Sequence, residues 1–220
     1  GGVERFMPRY LDPIVLASPS LALVQASREA LRAADIAEDM LKKSIVVFQK
    51  NDTALLEKVE EMDDDIDLLD REVKLYLTKL SREGLTEEQA RREMEIILFS
   101  SYMESIGDVI DKNLMELARK KIRGGLSFSA DGMKEIELIH QKIIENFELG
   151  VAAFAGSDAD LARKLIGRKA KLSELEMEFR QAHITRLHKG LRESIDTSSI
   201  HLDILTNLKR INSYVTNVAY

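Results

Sequence analysis

The sequence predicts an all-α fold: an elongated six-helix bundle made of two tandem three-helix repeats. Only 3 Pro and 11 Gly interrupt the 220 residues, which favours long helices. Apolar residues recur at spacings of three and four over long stretches, as on one face of a helix. The pattern of the second half also follows that of the first, which is typical of a duplicated structural unit.

The three prolines, Pro8, Pro13 and Pro19, all lie near the start of the chain. Because proline favours extended backbone before it and disrupts helix interiors, we expect no long helix ahead of Pro19. Ser18 and Pro19 are suited to the cap and first turn of the first helix. The predicted segments are an extended N-terminal linker at 1–18 and one domain at 19–220, divided into repeat A at 19–125 and repeat B at 126–220.

Capping residues and helix breakers set the expected helix boundaries. Asn51-Asp52 separates the first two helices, Gly84 ends the second, and Gly124-Gly125 ends the third. Ser129 or Asp131 caps the fourth helix. The predicted helices cover about 19–49, 53–82, 86–122, 129–155, 158–190 and 196–220.

Composition excludes several classes of function. The chain has no cysteine, so disulfides, zinc thiolates and cysteine nucleophiles are absent. A net charge of -6 argues against nucleic acid as a partner, since phosphate backbones attract basic surfaces. No apolar run approaches the ~20 residues of a membrane span. Residues 1–110 carry a net charge of -9 and residues 111–220 a net charge of +3, so acid is concentrated in repeat A.

Two pairs of acidic residues in repeat A are the candidate functional site. Asp63 and Asp67 are four residues apart on the predicted second helix, and Glu104 and Asp108 are four apart on the third. Residues at this spacing lie on one face of a helix. If the two helices are neighbours, four carboxylates converge, and their mutual repulsion requires a cation. Gly107, inside the third helix, indicates the close approach of another helix or a ligand.

Repeat B lacks all four acids. Shifts of 106 residues for the second helix and 105 for the third carry the pairs onto Lys169, Ser173, Lys209 and Ser213. Joint loss suggests that the four acids work as a unit, with a lysine ammonium standing where a metal charge would be. The alternative is a solvated acidic surface, which is our interpretation of the adjoining Asp64 and Asp65.

No arrangement of catalytic residues is apparent in the sequence. We find no nucleophile–base pair and no glycine-rich phosphate loop. The four histidines show no ligand spacing, so we expect them on the surface or half-buried; they are His140, His183, His188 and His201. All-oxygen ligands suit iron, zinc, manganese, magnesium or calcium, and the sequence does not choose among them.

These motifs resemble those of the PhoU family of phosphate-uptake regulators. Asp63-Asp-Asp-Ile-Asp67 and Glu104-Ser-Ile-Gly-Asp108 are similar to the family's Glu/Asp-x-x-x-Asp motifs, which bind metal clusters, typically of iron or zinc. The resemblance covers residues 19–220 and implies a six-helix fold of two repeats. It departs from the family pattern at Lys209 and Ser213, so it implies metal in repeat A alone.

The stretch Pro8-Arg-Tyr-Leu-Asp-Pro13 also resembles the segment that joins bacterial sodium/phosphate cotransporters to a PhoU-like tail. This resemblance implies a non-enzymatic regulatory domain on the cytoplasmic side of the membrane. Its partner would be the transporter's membrane domain, with transmembrane helices preceding this chain. The alternatives are a freestanding PhoU-type regulator that contacts a transport or sensor protein, with a homodimer possible, and a metal-dependent enzyme that uses the same carboxylates.

Overall fold

The computed structural model describes residues 5–80 and 84–220; most of these residues are helical, and none of them forms a strand. The predicted all-α class is confirmed. A short 3-10 helix at Pro13–Ala17 precedes the long helices. These are α1 (Pro19–Lys50), α2 (Thr53–Thr78), α3 (Glu87–Asp108), α4 (Met115–Arg123), α5 (Ala130–Gly156), α6 (Ala159–His188) and α7 (Arg192–Asn217).

The third predicted helix is one rod in three parts. A π-helical turn at Val109–Leu114 joins α3 directly to α4, and so six rods match the six predicted helices. The rod begins at a capping box in which Thr86 and Gln89 each accept the other's backbone N–H. The π turn falls immediately after Asp108, and such turns often occur where a helix carries function.

The internal repeat is visible in the backbone. α1 and α5 both end at a residue in the left-handed region, Asn51 at φ 51° and Ser157 at φ 48°. The following aspartates, Asp52 and Asp158, both cap the next helix. Each of these equivalences is a shift of 106 residues, the value that the sequence indicates for the second and fifth helices.

Each repeat packs as three rods, and the two repeats share a core. In repeat A, α1 packs against α2 and α3; in repeat B, α5 packs against α6 and α7. α1 also contacts α5, and its stripe of buried alanines permits close approach of neighbouring helices. Phe99 of α3 stacks on Phe154 of α5, with ring centroids 3.8 Å apart, which ties the repeats together.

The N-terminal segment lies against the first two helices. The buried carboxylate of Glu29 accepts the backbone N–H groups of Arg9 and Tyr10. The Tyr76 hydroxyl donates to the Asp12 carbonyl at 2.8 Å. Residues 5–12 form no helix, as expected of an extended segment, and the 3-10 helix at Pro13–Ala17 follows them. α1 and α2 supply the partners that hold this stretch against the domain.

Other expectations need smaller corrections. α2 ends at Thr78, before the predicted end at Arg82. Arg82 itself lies outside the described residues, as do all of 81–83. α7 begins at Arg192 rather than Asp196, and Ser18 makes no side-chain capping bond. Three of the four histidines are buried, contrary to prediction, because each sits between packed helices; they are His140, His183 and His201.

Among the described residues, no helix combines the length and the apolar character that crossing a bilayer demands.

Candidate metal centre

Three of the four predicted acids meet between α2 and α3. Asp63, Asp67 and Asp108 each offer a carboxylate oxygen, and these oxygens lie within 4.8 Å of one another. Helical spacing puts Asp63 and Asp67 one turn apart on α2, and the packing of α2 against α3 brings Asp108 opposite them. Asp63 is buried, and the other two are half-buried.

Gly107 makes this approach possible. A Cβ at this position would lie 2.6 Å from Asp63 Oδ1 and 3.2 Å from Ile66 Cδ1. No side chain fits there unless α2 or the Asp63 carboxylate shifts. The close contact expected from a glycine inside the third helix is thus with the carboxylate of the site itself.

Two carboxylate oxygens at the centre have no partner. Asp63 Oδ1 and Asp67 Oδ1 are shielded from solvent, and no donor within the described part of the chain reaches them. Burying an ionised carboxylate without a compensating charge costs several kcal/mol. Leaving even one buried acceptor without its hydrogen bond costs on the order of 1–3 kcal/mol. Hard cations that prefer oxygen ligands are the groups that fit such a set. The residues present are therefore suited to a metal ion.

The clustering also changes the acidity of these groups. Burial, followed by the charges of Asp67 and Asp108, raises the pKa of Asp63 to about 8. Burial and the hydrogen bond with Asp108 raise the pKa of Glu104 to about 7. At Asp108 burial acts in the raising direction, but hydrogen bonds from Glu104, Lys112 and Asp63 outweigh it and lower the pKa. Asp108 thus accepts hydrogen bonds from the carboxyl groups of Glu104 and Asp63.

Glu104 and Lys112 flank the three-carboxylate group without joining it. Glu104 is one turn before Asp108 and hydrogen-bonds to it, but stands outside the group of three. Lys112 Nζ lies 3.2 Å from Asp108 Oδ1, and its side chain is largely exposed. An exposed lysine can swing away at little cost, so it offers a replaceable counter-charge beside the site.

Sequence reasoning missed Asp111, which lies in the π turn. Its carboxyl group hydrogen-bonds with Asp63, and burial raises its pKa. The signal available in the sequence was its spacing, three residues after Asp108. The π turn itself, which sets where Asp111 lies, has no comparable signature in the residues.

Comparison with known proteins identifies the family. The sequence pattern of the PhoU domain matches residues 30–116 and 136–220, one match in each repeat. The chain belongs to the PhoU family. Among solved structures, PhoU from Pseudomonas aeruginosa superposes with a TM-score of 0.81 at 22% identity, covering 90% of this chain and 94% of that one. The phosphate transport system regulatory protein PhoU from Streptococcus pneumoniae gives 0.80 at 15% identity, covering 92% and 93%. Both show the same fold.

Curated relatives include longer proteins. The proposed inorganic phosphate export protein YjbB of Escherichia coli K12 is 35% identical over 213 residues, which cover 97% of this chain and 39% of the relative. A PhoU homologue of Thermotoga maritima, a phosphate-specific transport system accessory protein, is 26% identical over 188 residues, 83% of this chain and 78% of its own length. The chain thus spans about two-fifths of the YjbB relatives and most of the Thermotoga protein. It is a PhoU-type protein, and its curated relatives carry names that refer to phosphate export and phosphate-specific transport.

Proposed function

We propose that this PhoU chain regulates phosphate transport by docking on a transport or sensor protein, with one metal centre in repeat A. The unpartnered buried oxygens of Asp63 and Asp67 carry the metal part of the proposal. Asp63, Asp67 and Asp108 would hold the ion, with Glu104 and Asp111 beside them. The metal would supply the positive charge that the converging carboxylates need. Iron, zinc, manganese, magnesium and calcium all accept oxygen ligands.

Two arrangements of the regulator are supported by different comparisons. The solved PhoU structures are covered almost end to end, which favours a freestanding regulator that contacts a transporter and its sensor. The YjbB relatives, which are longer and named for phosphate export, favour a domain attached to a membrane transporter, such as a sodium/phosphate cotransporter. In either case it would work at the cytoplasmic side of the membrane. The full reading frame distinguishes the two: transmembrane helices in the same chain establish the attached form, and their absence the freestanding one.

The relatives' names describe accessory and regulatory proteins, and we propose that this chain is likewise not an enzyme. Turnover of a phosphate ester that is lost in Asp108→Ala would instead establish a metal-dependent enzyme. A homodimer remains a prediction, and sedimentation of the purified chain would measure it.

The test of the site is metal binding by matched variants. Purified chain is incubated with each metal in turn, desalted and analysed for bound metal. We expect Asp67→Ala with Asp108→Ala to weaken binding by at least about 100-fold, beyond the 10–100-fold typical of losing an outer-shell partner. The control is Ser173→Ala with Ser213→Ala, the equivalent positions of repeat B, which should bind as the parent does. Equal metal in both variants would refute the assignment.

Docking is tested in cells that depend on the native gene. Removing the chain should alter the uptake or export of radiolabelled phosphate, and restoring it should reverse the change. If the variant with Asp67→Ala and Asp108→Ala also restores normal phosphate uptake or export, docking does not depend on metal binding.

A further inference from the structure

A second charged site lies in repeat B, between two helices other than those that carry the carboxylates. A groove of about 240 Å³ runs between α5 and α6. From α5 it is lined by Lys142, Glu145 and Asn146, and from α6 by Arg168 and Lys171, with two leucines beneath. The spacings of three and four residues on each helix direct these side chains to the shared groove.

The groove is strongly positive. Three cationic side chains line it with a single acid, Glu145. In the part of the chain that the structure describes, no carboxylate lies close enough to form an ion pair with Lys142, Arg168 or Lys171. Some cations elsewhere among the described residues have carboxylate partners, as Lys42 has Glu38 at 2.8 Å, and others do not. Here three positive charges converge without one, which favours an anionic ligand.

Comparison with repeat A shows that the fold does not need these cations. A shift of 106 residues places Ile36, Met62 and Asp65 at the positions of Lys142, Arg168 and Lys171. The buried Met40 of repeat A stands where repeat B has Asn146. The same pair of helices packs in repeat A with no positive charge at these positions. The basic residues are therefore specific to the surface of repeat B.

The polar floor of the groove is held in place by a neighbouring helix. Asn146 is buried, and its Nδ2 donates to Asn212 Oδ1 of α7 at 2.9 Å. A buried amide that is fixed in this way gives the floor of the groove a defined hydrogen-bonding surface. The exposed Lys142 and Lys171 are free to adjust to a ligand above it.

Size and chemistry limit the ligand. The groove is smaller than the ~300–1,000 Å³ of sites for drug-sized molecules, so it suits a compact group. The guanidinium of Arg168 can donate two parallel hydrogen bonds to a phosphoryl group, and the ammonium groups of the lysines add point charges. These features together describe a site for a small, multiply charged oxyanion.

We propose that the groove formed by Lys142, Arg168 and Lys171 with Asn146 binds a phosphate group. The group is either inorganic phosphate or pyrophosphate, or the phosphate of a lipid headgroup. The proposal rests on the proposed function only for the choice of phosphate as the oxyanion. The domain then carries two sites of opposite charge, one in each repeat.

The test is a charge-matched pair of triple variants of the full chain. Lys142→Gln, Arg168→Gln and Lys171→Gln remove the groove's charges, whereas Lys120→Gln, Lys164→Gln and Lys189→Gln remove the same charge from exposed positions outside it. Calorimetry with inorganic phosphate and pyrophosphate measures the free anions. Co-sedimentation with phosphatidylcholine vesicles, with and without phosphatidic acid, measures the lipid. Circular dichroism checks folding, and Arg168→Gln alone serves if the triple variant does not fold.

We expect the groove variant to bind at least about tenfold more weakly than the parent and the control, since it loses several charge-assisted hydrogen bonds. If the groove variant binds free anions more weakly than the control does, the ligand is a free anion. If the two variants differ only with phosphatidic acid vesicles, the ligand is the lipid headgroup. No difference with either probe overturns the proposal. Asp67→Ala with Asp108→Ala should keep this binding, so failure of the metal centre and failure of the groove are distinguishable.

Discussion

At four equivalent positions, repeat A carries acids and repeat B carries two lysines and two serines. In repeat A, acids of α2 and α3 converge, and two of their carboxylate oxygens have no partner in the part of the chain that the structure describes. In repeat B, the equivalent helices carry Lys209, whose Nζ lies 3.8 Å from the buried Glu176, and Glu176 also pairs with Arg180. At these positions repeat B pairs its charges within the protein, whereas two carboxylate oxygens of repeat A have no partner among the described residues.

This difference shows that the three-helix unit does not need the acids in order to fold. Leu172 and Leu165 of α6 are buried as their counterparts Ile66 and Val59 are in α2. The apolar frame is thus common to both repeats, and the charged positions are free to diverge. A cluster that lowers stability, and that the sister repeat lacks, is best explained by a ligand. Each variant below changes one side of this comparison.

The largest effect is expected at Gly107, where the site of repeat A depends on a missing side chain. Gly107→Ala puts a methyl group 2.6 Å from Asp63 Oδ1, so it should lower the free energy of unfolding by about 1–3 kcal/mol and weaken metal binding. The control is Gly167→Ala in α6, where no atom lies within 4 Å of the new Cβ. That change should stabilise the helix by about 0.5–1 kcal/mol. Denaturant titration measures both, and unchanged stability with Gly107→Ala would contradict the close contact.

The pH dependence of the metal-free protein should reveal the proton on Asp63. The folded state holds this proton up to a pKa of about 8, and the unfolded chain releases it near 3.8. Folding therefore takes up a proton between these values, and the contribution of Asp63 to stability falls as pH rises from about 4 to about 8. Asp63→Asn removes this dependence, so its gain in melting temperature over the parent should be larger at pH 8 than at pH 5.

Histidine titration does not obscure this result. Burial, then the charges of His183 and Arg186, lowers the pKa of His201 to about 3. The contribution of His201 to stability therefore falls as pH drops below about 6.5, whereas that of Asp63 falls as pH rises. Because parent and variant share this term, their difference isolates Asp63. A constant difference across the range would show that Asp63 is ionised in the metal-free fold.

The smallest effect is expected in repeat B. Lys209→Met leaves Glu176 paired with Arg180, and Lys209 is about half exposed. Loss of such a pair costs about 0–1 kcal/mol. Calorimetric unfolding alongside Lys164→Met, an exposed lysine of α6, measures the change. A loss of several kcal/mol would show that Lys209 replaces the metal charge in a structural sense, as the sequence comparison suggests.

Much of the architecture can be predicted from local sequence signals. Helix caps such as Thr86 and Asp158 are predictable because their side chains bond to the backbone a few residues away. The shift of 106 residues between the repeats is visible directly in the order of the residues. The predicted end of α2 was late, and the contacts that hold residues 5–17 against the domain could not be predicted. In that segment the decisive partner, Glu29, is about twenty residues away and has no local signature.

The sequence by itself determined which acids share a helix face, because helical spacing is a property of neighbours along the chain. Only the tertiary structure decided that Asp63 is buried against Gly107, that Asp108 completes a group of three, and that Asp111 joins through the π turn. The same is true of the basic groove, whose residues come from two helices. The register between packed helices depends on how whole apolar faces interlock, and no single spacing in the chain specifies that.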